Sequence, residues 1–212
     1  MTSLERPADE AVNLATHGFG LALSLAASAW LMRSVTAAGD ARTIWACGVY
    51  CFTLITLYSA STLSHAFRDI NRRRLLRTFD QASIFLVMPG TFTPFAVSFL
   101  TRGWWQAALP VMWALALAGI VMVLRRRDLS RRAKFTYGAL GWTPLFSLGE
   151  LYRNGSPDMV WLIVAGGLLY SFGSIFLLLG KKIRYLHALW HLFVIAASAC
   201  HYFAIAAYVA AR

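Results

Sequence analysis

With 212 residues, 58% of them hydrophobic and 14% charged, the chain is too apolar for an ordinary soluble domain, in which charged residues make up roughly 25%. A net charge of +11 invites a nucleic-acid reading, but the basic residues sit in short clusters between long apolar runs. That is the pattern of loops flanking membrane spans, and no basic soluble domain remains to carry nucleic-acid binding.

The N-terminal segment sets Arg6 against Glu5, Asp9 and Glu10, unlike the basic n-region of a cleaved signal peptide, so the first span is expected to be retained. A span needs about 20 mostly apolar residues to cross the ~30 Å hydrocarbon core. Seven such stretches follow: Ala11–Met32, Thr43–Ala66, Phe79–Leu100, Trp104–Leu124, Lys134–Leu151, Met159–Leu179 and Tyr185–Ala211. The fold class is thus an all-α polytopic membrane protein, a single seven-helix bundle over residues 1–212. The third span holds Pro89-Gly90-Thr91-Phe92-Thr93-Pro94 and is expected to be kinked or locally unwound, with freed backbone groups satisfied by neighbours. The fifth is the least regular, interrupted by Gly138, Gly141 and Pro144.

Counting basic residues on alternate loops orients the bundle. One side carries Arg6, the Arg68–Arg77 cluster, the Arg125–Lys134 cluster, and Lys181, Lys182 and Arg184. The other carries only Arg33, Arg42, Arg102, Arg153 and Arg212. The asymmetry predicts a cytoplasmic N-terminus and an external C-terminus in a multi-pass protein of the cell inner membrane. The arginine runs read mainly as topology determinants; contact with anionic lipid is the sharper alternative. Cys47, Cys51 and Cys200 lie inside apolar runs and read as packing residues, not as a disulfide framework.

Ionisable groups inside spans are costly and point to function. Here they are His17, His65, Asp80, Glu150, His187, His191 and His201. The predicted topology gathers His17, His65, Asp80, His187 and His191 in the cytoplasmic half, although they are scattered along the chain. His187 and His191 are four apart and share one helix face, as do Ser61 and His65. Three histidines suit zinc or a related divalent ion and leave a fourth position open for water. Asp80 would hydrogen-bond that water or orient an imidazole. His17 and His201 read as helix-packing or hydrogen-bonding histidines; His201 lies about 15 Å beyond His191 along its helix and cannot share the ion. Glu150 falls at the outer end of its span and reads as interfacial.

These motifs resemble the bacterial hemolysin III family, related to the adiponectin and progestin receptors and, more distantly, to the alkaline ceramidases. The resemblance covers nearly the whole chain. It runs through Asn13 with Thr16-His17-Gly18, Ser61-Thr62-Leu63-Ser64-His65, Asp80, Gly90-Thr91-Phe92-Thr93-Pro94, Gly166-Gly167 with Tyr170, and His187-Ala188-Leu189-Trp190-His191 followed by Phe193-Val194. It implies a seven-helix bundle with zinc on His65, His187 and His191, beside Asp80 and Ser61. Two positions depart from the family pattern: Gln81 follows Asp80 where a histidine is common, and Ser64 precedes His65 where a tyrosine is common.

The expected function is a zinc-dependent membrane hydrolase of a lipid-like substrate, an amide such as a ceramide-type molecule, with Asp80 and Ser61 as catalytic groups. A non-enzymatic sensor of membrane state with structural zinc is the alternative, and a pore-forming cytolysin ranks third. Expected partners are membrane lipids and the lipid-like substrate, not nucleic acid.

Overall fold

The computed structural model describes residues 7–126, 131–180 and 183–211, and the side chains of Arg126 and of residues 131–135 are outside that description. Arg6, Arg127, Lys181, Lys182 and Arg212 therefore lie outside the described residues, as do the side chains of Arg126, Arg131, Arg132 and Lys134. Eight α-helices follow in order: α1 (Pro7–Ala38), α2 (Ala41–Ala66), α3 (Ile70–Phe99), α4 (Ala108–Arg126), α5 (Arg131–Trp142), α6 (Leu148–Asn154), α7 (Pro157–Leu179) and α8 (Leu186–Tyr208). Short 3₁₀ turns, Gly103–Ala107 and Thr143–Ser147, lead into α4 and α6. No strand occurs among the described residues.

Six helical segments are long and apolar enough to cross a membrane: Pro7–Ala38, Ala41–Ala66, Ile70–Phe99, Gly103–Arg125, Pro157–Leu179 and Leu186–Tyr208. The expected fifth span is instead a composite of α5, a 3₁₀ turn and α6. Pro144 enters at the start of that turn; with no N–H to give and a ring that crowds the preceding turn, it interrupts the α-helical ladder.

Local chemistry sets the helix ends. Gly39 takes φ +81° after α1, a conformation that favours glycine. Asp40 and Asp69 cap α2 and α3, accepting from the backbone N–H of Thr43 and Arg72 at 2.9 Å each. The bonds from Thr43 also hold the exposed Asp40 carboxyl below its ordinary range. Ser156 caps α7, and Pro157 occupies its first turn.

The third span shows no unwinding. α3 stays α-helical from Ile70 to Phe99 with Pro89 and Pro94 inside it. Each proline withholds a donor, from the Phe85 and Gly90 carbonyls respectively, while the Thr93 hydroxyl donates to the Pro89 carbonyl at 2.7 Å. Two-thirds of this span's most apolar window is buried, so neighbouring helices keep it helical through positions that would break an isolated helix. Gly90 lets Thr53 of α2 come so close that a β-carbon would collide with it, and Gly119 of α4 does the same for the Phe85 ring. Such small-residue contacts are how helices approach one another when both faces are already apolar.

The helices close into a ring: α1 on α2, α2 on α3, α3 on α4, α4 on α5, α5 through its 3₁₀ turn to α6, α6 on α7, α7 on α8, and α8 back on α1. Hydroxyls stitch the interior. Tyr58 of α2 donates to Ser198 of α8 at 3.1 Å, Tyr170 of α7 bonds the same oxygen at 2.9 Å, and Tyr202 of α8 donates to the Ala27 carbonyl of α1 at 3.1 Å. Outside, large apolar side chains such as Phe52, Trp161 and Leu178 are exposed, as a lipid-facing surface requires. Trp30, Trp45, Trp104, Trp105 and Trp161 all belong to the end of the bundle where α1 finishes and α2, α4 and α7 begin. An aromatic belt of this kind marks a membrane–water interface.

Candidate metal centre

The opposite end of the bundle gathers the N-terminus of α1, the C-terminus of α2 and the starts of α3 and α8. Here the side-chain nitrogens of His65, His187 and His191 lie within 4.8 Å of one another, and the ring centroids are 4.5–5.4 Å apart. The structure thus brings together the three histidines singled out by spacing and orientation. The group requires α2 and α8 to meet, and a helical period of 3.6 puts His187 and His191 one above the other.

Hydrogen bonding shows which nitrogens are available. His65 Nδ1 lies 2.8 Å from Glu10 Oε2. An ionised carboxylate only accepts, so His65 donates from Nδ1, and the neutral imidazole then carries its lone pair on Nε2. That Nε2 is buried and has no protein partner. His191 Nδ1 lies 3.0 Å from Thr16 Oγ1. The Thr16 hydroxyl is itself directed at the Val12 and Asn13 carbonyls at 3.0 Å each, which leaves its lone pair to accept from His191 Nδ1–H. His191 too therefore turns its Nε2 lone pair away from this partner. Anchored Nδ1–H groups with free Nε2 atoms are how metal-ligating histidines are held. The donor set fits a divalent ion that prefers imidazole, zinc included.

Asp80, from the third turn of α3, lines the same cavity, with the Ser61 hydroxyl as hydrogen-bond partner and His65 and Arg77 facing it. The serine one turn before His65 and the aspartate at the head of the third span are thus joined.

The cavity has a volume of about 1170 Å³. It passes the metal-site histidines and continues between α3, α4, α7 and α8 past Phe92, Met112, Ile163 and Tyr170 to His201. Its wall is predominantly apolar along that course.

Three neighbours were not foreseen as parts of the site. Glu10 belongs to the first turn of α1, which begins four residues earlier than expected. Besides His65 it pairs with buried Arg73 and, at 3.6 Å, with Arg77. Thr16 was visible only as part of a motif. The signal for Glu10 was helical spacing: Glu10, Asn13 and His17 follow at i, i+3 and i+7 and share a face of α1. His17 keeps the helix-packing part of its expected role but not the hydrogen-bonding part among the described residues. Its ring lies against His191, centroids 3.6 Å apart, and neither buried ring nitrogen has a hydrogen-bond partner. His201 does act as expected, its Nε2 lying 3.2 Å from the Ile163 carbonyl of α7. Glu150 binds Asn154 and Arg153 at the far end of the bundle, away from the site.

Comparison with known proteins agrees with this arrangement. Residues 6–202 match the model of the family described as Haemolysin-III related. The chain is 34% identical over 202 residues to Hemolysin-3 of Bacillus cereus, covering 95% of this chain and 92% of that protein. It is 32% identical over 201 residues to the Hemolysin-3 homolog of Bacillus subtilis (strain 168), covering 94% of each. At greater distance it is 26% identical to the human monocyte to macrophage differentiation factor, over 95% of this chain and 84% of that one. A helical membrane bundle with a three-histidine group at one end, matched almost end to end, belongs to the haemolysin-III-related family.

Proposed function

We propose that this protein is a zinc-dependent hydrolase of lipid-like amides, set in the inner membrane with its N-terminus and its histidine site on the cytoplasmic side. The observation that carries the reading is the convergence of three imidazoles, two with their Nε2 atoms left free, on an apolar cavity that also holds Asp80.

His65, His187 and His191 would hold the ion, whose contribution is to make water a competent nucleophile near neutral pH. The protein's own part is to place and move protons and to bind the chain. Glu10 and Thr16 fix the imidazole tautomers. Asp80, oriented by Ser61, accepts the proton that water loses as its oxygen joins the acyl carbon. Asp80 then returns that proton to the departing nitrogen as the carbon–nitrogen bond breaks, giving a carboxylic acid and an amine. The apolar cavity receives the acyl chain and excludes bulk water.

The test is mass-spectrometric detection of fatty acid and amine released from ceramide-type amides by the purified protein. Turnover is expected to stop in His187→Ala and after chelation, and to return on adding zinc to the wild type. Release that survives both treatments would overturn the metal mechanism. Absence of turnover together with a large loss of thermal stability on chelation would favour the regulatory reading.

A further inference from the structure

Resting on that hydrolase reading, we infer that the cavity selects a phosphate-bearing lipid, held by an arginine cradle at its mouth, over a neutral one. The cradle is Arg73, Arg74 and Arg77, all lining the cavity. Arg73 decides the matter. It is 5% exposed, and one face of its guanidinium meets Glu10. Its Nε, equally buried, has no partner among the described residues. A buried charged donor left unbonded costs more than a neutral one, so the site calls for an acceptor oxygen that the described residues do not provide.

Charge counting points the same way. Among the described residues three carboxylates line the cavity, Asp9, Glu10 and Asp80; Asp9 pairs with a further arginine, Arg184, at 3.3 Å, which leaves Glu10 and Asp80 to set against the cradle. Three guanidinium groups against two carboxylates leave a positive surplus before any divalent ion is added. The occupant's head is therefore anionic.

Depth separates phosphate from the carboxylate of a reaction product. Arg73 precedes Asp80 by seven residues on α3, about 10 Å along the helix axis toward the cavity mouth. A carboxylate freed at the metal would form near Asp80. An anion at Arg73 belongs instead to the head of the bound molecule, with the scissile bond between it and the buried chain. Guanidinium groups match the several oxygens of a phosphate in forked geometry, as a single ammonium does not.

The experiment measures binding to the full-length protein in zwitterionic nanodiscs, so that turnover is not needed. The probes are a short-chain fluorescent ceramide and the same ceramide carrying a 1-phosphate, with inorganic phosphate as competitor. The phosphorylated probe is expected to bind about ten-fold or more tightly than the neutral one. Arg73→Gln and Arg74→Gln are expected to shrink that preference. Arg73→Lys, which keeps charge and loses the fork, should recover part of it, and Arg33→Gln at the other end should leave it intact. Equal affinity for the two probes overturns the inference, as does a preference that persists in both glutamine variants. Displacement of the lipid by inorganic phosphate at concentrations near that of the probe assigns the cradle to free phosphate and overturns the lipid claim. Preference without hydrolysis of either probe refutes the hydrolase reading alone; hydrolysis without preference refutes only the cradle.

Discussion

The Nδ1 atom of His65, in the last turn of α2, lies 2.8 Å from Oε2 of Glu10 in the first turn of α1. The same carboxylate pairs with Arg73 and Arg77 at the start of α3. One side chain therefore orients a candidate ligand and ties three helices. Removing such a partner typically weakens metal binding about 10–100-fold. Glu10→Ala is expected to show that loss in a competition titration with a chromophoric chelator. Glu10→Gln, which still accepts from Nδ1 but without charge, should fall between the two. Unchanged affinity in Glu10→Ala would remove Glu10 from the site. Thr16→Val is milder: it removes one neutral hydrogen bond to His191, and a loss under about ten-fold is expected.

His17 sits against His191 with two buried ring nitrogens that no protein group satisfies. Replacing an unsatisfied polar group by an apolar one of similar shape is close to neutral or stabilising. His17→Phe is therefore expected to keep one ion per chain and to melt at or above the wild-type temperature. A drop of several degrees at equal metal content would show that His17 has a polar partner in the working protein.

Much of this site was legible because its chemistry is expensive in a membrane. His65, Asp80, His187 and His191 stand out from their apolar spans, and the basic loops place them at one end before any helix is packed. Glu10 escaped notice because it lies in the polar lead before the first apolar run, and only the helix start at Pro7 puts it one turn below Asn13 and in reach of His65. Local unwinding of α3 did not occur, for the opposite reason. Pro89 and Pro94 are strong local signals, but most of their surroundings are buried protein, and packing overrode them. In α5 and α6 no such cover exists at Pro144, which lies among partly or fully exposed residues, and there the local signal prevailed.

Packing at α3 also makes a prediction on stability. A β-carbon on Gly119 would meet the Phe85 ring, whereas one on Gly138 of α5 meets nothing within 4 Å. Phe85 is fully buried, so its ring has little room to yield, and overpacking of this kind costs roughly 1–3 kcal/mol. Gly119→Ala is expected to lower the thermal midpoint in detergent. Gly138→Ala should leave it unchanged or raise it, since alanine is favoured over glycine in a helix interior by roughly 0.5–1 kcal/mol. Equal midpoints for the two variants would count against the close α3–α4 approach.

The composite of α5 and α6 carries the last prediction, the number of crossings. α4 ends at Arg126 at the histidine end, and α5 begins there at Arg131. α6 finishes at Asn154, whose side-chain amide donates to the Phe99 carbonyl at the far end of α3 at 2.9 Å. The segment thus joins opposite ends of the bundle, although no part of it alone is long enough to span. Laid end to end, a 12-residue helix, a five-residue 3₁₀ turn and a seven-residue helix reach roughly 38 Å. That exceeds the ~30 Å hydrocarbon core even with a bend. Seven crossings are therefore expected. With alkaline phosphatase, active only outside, and green fluorescent protein, bright only inside, fusions at Gly39 and Gly155 should read external and one at Arg68 internal. The C-terminal fusion decides the count: an external reading fits seven crossings, and an internal one would make the composite a re-entrant segment and return the chain to six.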